Sequence, residues 1–191
     1  SGCNLNIFVN FKDFFSDINI FNLKYTYRNS NELISISSRF IMKNKKQLKK
    51  EIISNKNLNK PIKIVIGYNI DEVIKLINEP DILIIGRNNS DIKDIKWNNV
   101  LTIHRSKGLE ANNVILVNSD NIPSKIKNEK ILRHVLQEKD YIPFEEERRL
   151  FYVGLTRTKN YCYLFVPKNN PSIFVEELVK YYKKFITIID L

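Results

Sequence analysis

Apolar residues along this chain fall into short, β-branched runs separated by stretches with helical spacing. Ile62 to Ile66 (IKIVI), Ile82 to Ile85 (ILII), Val100 to Ile103 (VLTI), Val114 to Val117 (VILV) and Cys162 to Val166 (CYLFV) read as strands. Most are continuously apolar rather than alternating, which is the pattern of strands covered on both faces. Helices are predicted between them. Ser30 can cap one that runs to about Met42, with Leu33, Ile34, Ile36 and Ile41 as its apolar positions. A second spans Asp71 to Asn78, with Val73, Ile74 and Ile77 on one side, and a third spans Glu145 to about Lys159. Asn170-Pro171 supplies an N-cap and first-turn pair for a fourth, through Val179.

Strands alternating with helices predict an α/β fold, a mostly parallel sheet with helices on both faces. Such sheets bind ligands in loops beyond the carboxyl ends of their strands. Two unusually polar stretches hold that position: Arg87-Asn88-Asn89 after one strand and His104 to Glu110 after another. The run Lys43 to Lys50 (KNKKQLKK) reads as a solvated helix end.

Composition narrows the classes. A length of 191 residues, 43% apolar, fits one domain with a substantial core. No apolar run reaches the ~18 residues of a membrane span, and the first residues lack a secretory pattern, so a cytoplasmic protein is expected. The abundance of Ile, Asn and Lys has the look of an AT-rich, bacterial genome. Two cysteines, Cys3 and Cys162, lie far in sequence from His104 and His134, so no metal site is expected. The net charge of +10 points to a polyanionic partner.

No GxxxxGK[ST] loop, dinucleotide fingerprint, Ser-His-Asp set or Cys-His signature occurs, so a free-standing nucleotide hydrolase is not expected. Three other stretches carry the chemistry: Tyr27-Arg28-Asn29-Ser30, then TIHRSKGLE at 102–110, then EERRLFYVGLTRTK at 146–159. On a continuous helix Leu150, Gly154 and Arg157 fall at i, i+4 and i+7, which would raise Arg157 beside a position without side-chain bulk. A planar, permanently charged guanidinium suits a phosphate better than an ammonium does. Arg148 and Arg149 are expected to pair with Glu145 to Glu147 or with neighbouring loops.

In order and spacing these stretches resemble motifs IV, V and VI of the UvrD/Rep-like superfamily 1 DNA helicases, and ILIIGRNNS at 82–90 resembles the strand and loop between the first two. The resemblance implies a RecA-like domain, the second of a pair that closes on ATP, over residues 23–191, with 1–22 unassigned. The short Asp91 to Asn99 stands where many relatives carry a large helical insertion, and with the Asn-Pro-Ser helix start this favours the helicase IV-like subgroup.

By resemblance, Arg157 and Arg28 are catalytic and reach the γ-phosphate, Tyr27 stacks on adenine, and Gly108 and Glu110 belong to the nucleotide site. Thr102, His104 and Lys107 would contact single-stranded or partly duplex DNA, with Arg87 and Asn89 as further contacts or as loop-closing residues. ATP with Mg2+ is the implied cofactor, its metal ligands and P-loop lying on an N-terminal RecA-like domain of the same protein. The implied function is the C-terminal motor domain of an ATP-dependent DNA helicase, inactive as a fragment. The alternative is a non-catalytic nucleic-acid-binding module that kept the fold. A GxxxxGK[ST] upstream in the native gene would favour the motor.

Overall fold

The computed structural model describes residues 7, 10–15, 18–19, 21–45, 47–123, 144–167 and 171–191. Its centre is a six-stranded sheet, parallel throughout: β1 (Ile62–Gly67), β2 (Ile82–Gly86), β3 (Val100–Thr102), β4 (Ala111–Leu116), β5 (Thr158–Pro167) and β6 (Ile186–Asp190), in the spatial order β3-β2-β4-β5-β1-β6. Among the described residues four helices pack on it: α1 (Asn31–Ile41), α2 (Ile70–Ile77), α3 (Glu145–Leu155) and α4 (Ile173–Tyr182).

The apolar runs become strands because both sheet faces are covered. Ile62, Ile64, Val114, Leu116, Cys162 and Leu164 point into a core shared with α1, α3 and α4. The alternate residues Val65, Ile115, Val117, Tyr163 and Phe165 pack on the other face with Val73 and Ile77 of α2 and with Ile92, Ile95 and Trp97. At the centre of the first face Phe40 of α1, Phe151 of α3 and Phe174 of α4 meet with ring centroids 5.2 to 5.5 Å apart.

Ser30 caps α1 as expected, its hydroxyl accepting from the Leu33 amide. Three expectations are corrected. The third helix stops at Leu155, because the Thr156 hydroxyl turns back to the carbonyls of Tyr152 and Val153 and the chain enters β5 at Thr158. The fourth is capped by Ser172, which accepts from the Val175 amide, two residues beyond the predicted cap; Asn170 lies outside the described residues. Strand β6 was not predicted. It is a half-covered edge, Ile186 buried and Ile188 50% exposed, too short for its alternation to stand out.

The basic run is only partly a solvated helix end. Lys43 pairs with Glu177, and buried Asn44 donates to the Glu145 carbonyl. Among the described residues before 23, one helical turn at Phe11–Phe14 buries nothing. Between the loop after β2 and β3 there is a single 3-10 turn, Asn89–Asp91, and a short connection, with no inserted domain. Among the described residues no helix is long and apolar enough to cross a membrane.

Gly154 has a packing role rather than the clearance role that helical spacing gave it. A Cβ there would lie 2.5 Å from Leu116 Cδ1, so the glycine lets α3 sit directly on β4. Gly154→Ala gains about 1 kcal/mol of helix propensity and loses a similar amount moving the fully buried Leu116 aside. Its unfolding midpoint should therefore stay close to wild type. Gly154→Leu has no such offset and should cost about 1–3 kcal/mol, read by denaturant unfolding.

Candidate nucleotide and nucleic-acid interface

The site begins at the segment before α1. Thr26 donates its amide to the Ile53 carbonyl, and Ile53 donates to Lys24, laying 24–26 beside residue 53. Buried Asn29 then donates through Nδ2 to the carbonyls of Thr158 (2.8 Å) and Thr156 (3.4 Å). That amide fastens the Tyr27-Arg28 loop to the turn carrying Arg157. Thr158, fully buried, donates its hydroxyl to the carbonyls of Asn112 and Tyr161 and fixes the same turn from the other side. Neither Asn29 nor Thr158 was singled out from the sequence, since a backbone-stapling amide has no spacing signature.

Around this staple the charged groups converge. Arg28 Nε donates to Glu110 Oε2 at 2.5 Å, and Lys159 Nζ lies 3.2 Å from Glu110 Oε1, so one carboxylate brackets two cations. The hydrogen bonds from Arg28 and Lys159 hold the Glu110 carboxyl below its usual range. Arg157 is partly buried, and its hydrogen bonds go to backbone carbonyls: Nε to Val153 (3.1 Å) and Nη1 to Leu109 (3.5 Å). Burial, and next the nearby Arg28 charge, push its guanidinium below the ordinary arginine value. Three cations thus face one carboxylate, and an anion would relieve their mutual repulsion. Tyr27 stands beside them 89% exposed, a free aromatic face.

This cluster lies at the amino ends of β4 and β5, where Ala111 pairs with Thr158 and the Ala111 amide donates to the Arg157 carbonyl. The rule of ligands beyond the carboxyl ends therefore does not hold for it, and the segment 103–110 crosses from one edge to the other. Arg157 stands in a turn, its position set by the end of α3 and not by a continuing helix. Gly108 lies within the crossing segment at φ +90°, a left-handed backbone that favours glycine, with open space where a Cβ would stand.

At the carboxyl edge the ends of β2 and β3 are adjacent, Gly86 opposite Thr102. Asn89 and His104 are exposed beside it, and Arg105 and Lys107 are exposed in the crossing segment that leaves it. Thr102 is only 8% exposed, and its carbonyl closes the turn by accepting from the Ser106 amide. Arg87 is not a free cation. Its Nε and Nη2 donate to both oxygens of Glu147 at 2.6 to 3.1 Å, which raises its pKa. The bridge ties the loop after β2 to the first turn of α3.

The other arginines of the third stretch are also committed. Arg149 pairs with Glu145 and Glu146 as expected. Arg148 instead forms a two-pronged bridge to Glu177 of α4, its guanidinium over the rings of Phe40 and Phe174. Helical spacing favoured its sequence neighbours, but the fold turned it into the core. Cys162 is fully buried in β5, its thiol pushed up to about 12 by burial, and takes no part in the site.

The six-stranded parallel sheet with helices on both faces is the α/β architecture of a RecA-like domain. Its sequence then places it further: the UvrD-like helicase C-terminal domain model matches residues 73–169, and the chain belongs to this family. DNA helicase IV of Escherichia coli (strain K12) is 30% identical over 93% of this chain. A protein of Mycoplasma pneumoniae described as a probable DNA helicase II homolog is 42% identical over 39% of it. The chain spans 29% and 10% of the lengths of these relatives. The crystal structure of the C-terminal domain of a possible DNA helicase from Lactobacillus plantarum WCFS1 shares the fold, with a TM-score of 0.50 and 16% identity over 85% of this chain and 99% of that one.

Proposed function

We propose that this chain is the C-terminal motor half of an ATP-dependent DNA helicase, completing an ATP site whose P-loop belongs to a preceding RecA-like domain. The observation that carries this reading is the meeting of Arg28, Lys159 and Arg157 around Glu110, at one sheet edge and beside an exposed tyrosine. In phosphoryl transfer, charge develops on the equatorial oxygens, and a positioned guanidinium stabilises it. Arg157 suits that task because its backbone partners orient it without neutralising it. Arg28 is the second such group, released to a phosphate when the nucleotide competes with Glu110. Tyr27 offers its ring to adenine, and Glu110, in the family's arrangement, reaches toward the ribose. Mg2+ would arrive with the phosphates; no set of three acidic, His or Cys side chains gathers among the described residues, so its protein ligands would lie on the preceding domain.

At the opposite edge, Asn89, His104 and Lys107 are the DNA contacts in this reading, holding the phosphate backbone without reading bases. Closure on ATP and release after hydrolysis would then shift this edge along the strand. The full-length protein should show ATP hydrolysis stimulated by single-stranded DNA, and the 191-residue chain alone none. Single-strand affinity should fall roughly tenfold between about 50 and about 200 mM salt as counterions are released. Flat affinity over that range, or turnover indifferent to DNA, would count against the assignment.

A further inference from the structure

The nucleotide-side cluster and the DNA-side turns lie at opposite edges of the sheet, and α3 is the element that touches both. Its eleven residues cover roughly 16 Å at the ordinary helical rise. At its end lie Val153 and Gly154, whose carbonyls hold the Arg157 side chain and amide. In its first turn lies Glu147, 8% exposed and gripped by the Arg87 fork. Arg87 directly follows β2, and the Gly86 carbonyl before it accepts from the Ile103 amide, next to His104. The rest of the Arg87 loop is braced as well. Asn88 and Asp91 cap each other, and Asn118 donates to the second Asp91 oxygen.

We propose that Arg87 is a positioning residue which, through its two-pronged bridge to Glu147, couples occupancy of the DNA-side turns to the placement of Arg157 along α3. The bridge is suited to this because it is directional. A fork on a carboxylate fixes both distance and orientation, so a shift of the loop becomes a shift of the helix and not a slide past it. It is also partly withdrawn from solvent, its side chains 20% and 10% exposed, which weakens screening. Packing of Gly154 against Leu116 sets the pivot near the other end of the helix, so motion at Glu147 is passed to the turn that follows. The inference rests on the proposed motor function, and its test separates the two.

The measurement is made on the full-length protein: ATP turnover with and without single-stranded DNA, DNA affinity, and the unfolding midpoint. Arg87→Lys keeps the charge and loses the fork. Arg87→Gln with Glu147→Gln removes both charges together, leaving no stranded carboxylate. Both are expected to lower the ratio of DNA-stimulated to DNA-free turnover by about tenfold, a size usual for residues that carry coupling. DNA-free turnover, DNA affinity and the midpoint of Arg87→Lys should stay within about twofold or a few degrees of wild type. Loss of DNA affinity in step with the ratio would make Arg87 a DNA contact and overturn the proposal. So would an unchanged ratio, or a fall of DNA-free turnover in step with the midpoint. A wild-type protein without DNA stimulation would instead remove the motor reading, and this inference with it.

Discussion

Replacing Arg157 by alanine in the full-length protein is expected to lower ATP turnover by about 10³ to 10⁵, with single-strand affinity nearly unchanged. The size follows from what is lost. Arg157 is a half-buried cation held by neutral carbonyls, so its charge is available to the transferring phosphoryl group. The fold should survive, because the two hydrogen bonds given up are to backbone carbonyls near the surface of a turn. Arg157→Lys should recover little, since one ammonium cannot keep the Val153 carbonyl and also span the phosphate oxygens. Steady-state hydrolysis at saturating DNA reads the effect. Turnover within a few-fold of wild type would remove Arg157 from the reaction.

The largest loss of stability is expected at Phe151. It is fully buried, with ring centroids 5.4 Å from Phe40 and 5.5 Å from Phe174, and so ties α3 to α1 and α4 over the sheet. Phe151→Ala removes an aromatic side chain from a close-packed site and should cost about 3–5 kcal/mol. For a chain of this length that is a midpoint roughly 10 °C lower, read by circular dichroism on heating. Phe151→Leu keeps more of the volume and should cost clearly less, about 1.5 kcal/mol. Equal losses for the two would show that aromatic packing, and not filled volume, holds the helices.

The five predicted strands were legible because a parallel sheet covered on both faces demands runs of apolar residues, and the sequence writes them continuously. β6 was missed because an edge strand needs only one covered face and alternates over five residues. The helix start at Ser30 follows from a side chain that caps locally. The end of α3 was misplaced because it depends on a threonine hydroxyl turning back and on β5 drawing the chain away, which charge and apolar spacing do not report.

The same division runs through the site. Arg28, Glu110 and Arg157 stood out by residue type and motif order, and the fold brings them together. Thr102 and Arg87 also stood out, yet Thr102 is nearly covered and Arg87 is bridged to Glu147. The Arg87 bridge arises from a neighbour 60 residues away in the chain.

By itself, the sequence determined the architecture, the family and the residues that carry charge, because local apolar pattern and residue chemistry are properties of short segments. Tertiary structure alone decided which sheet edge the nucleotide-side cluster occupies and which arginines are spent on carboxylates. It also made Gly154 a contact with Leu116. These are matters of distance between segments that only the folded sheet brings side by side, and at a few ångströms that distance fixes whether a cation is paired, buried or available.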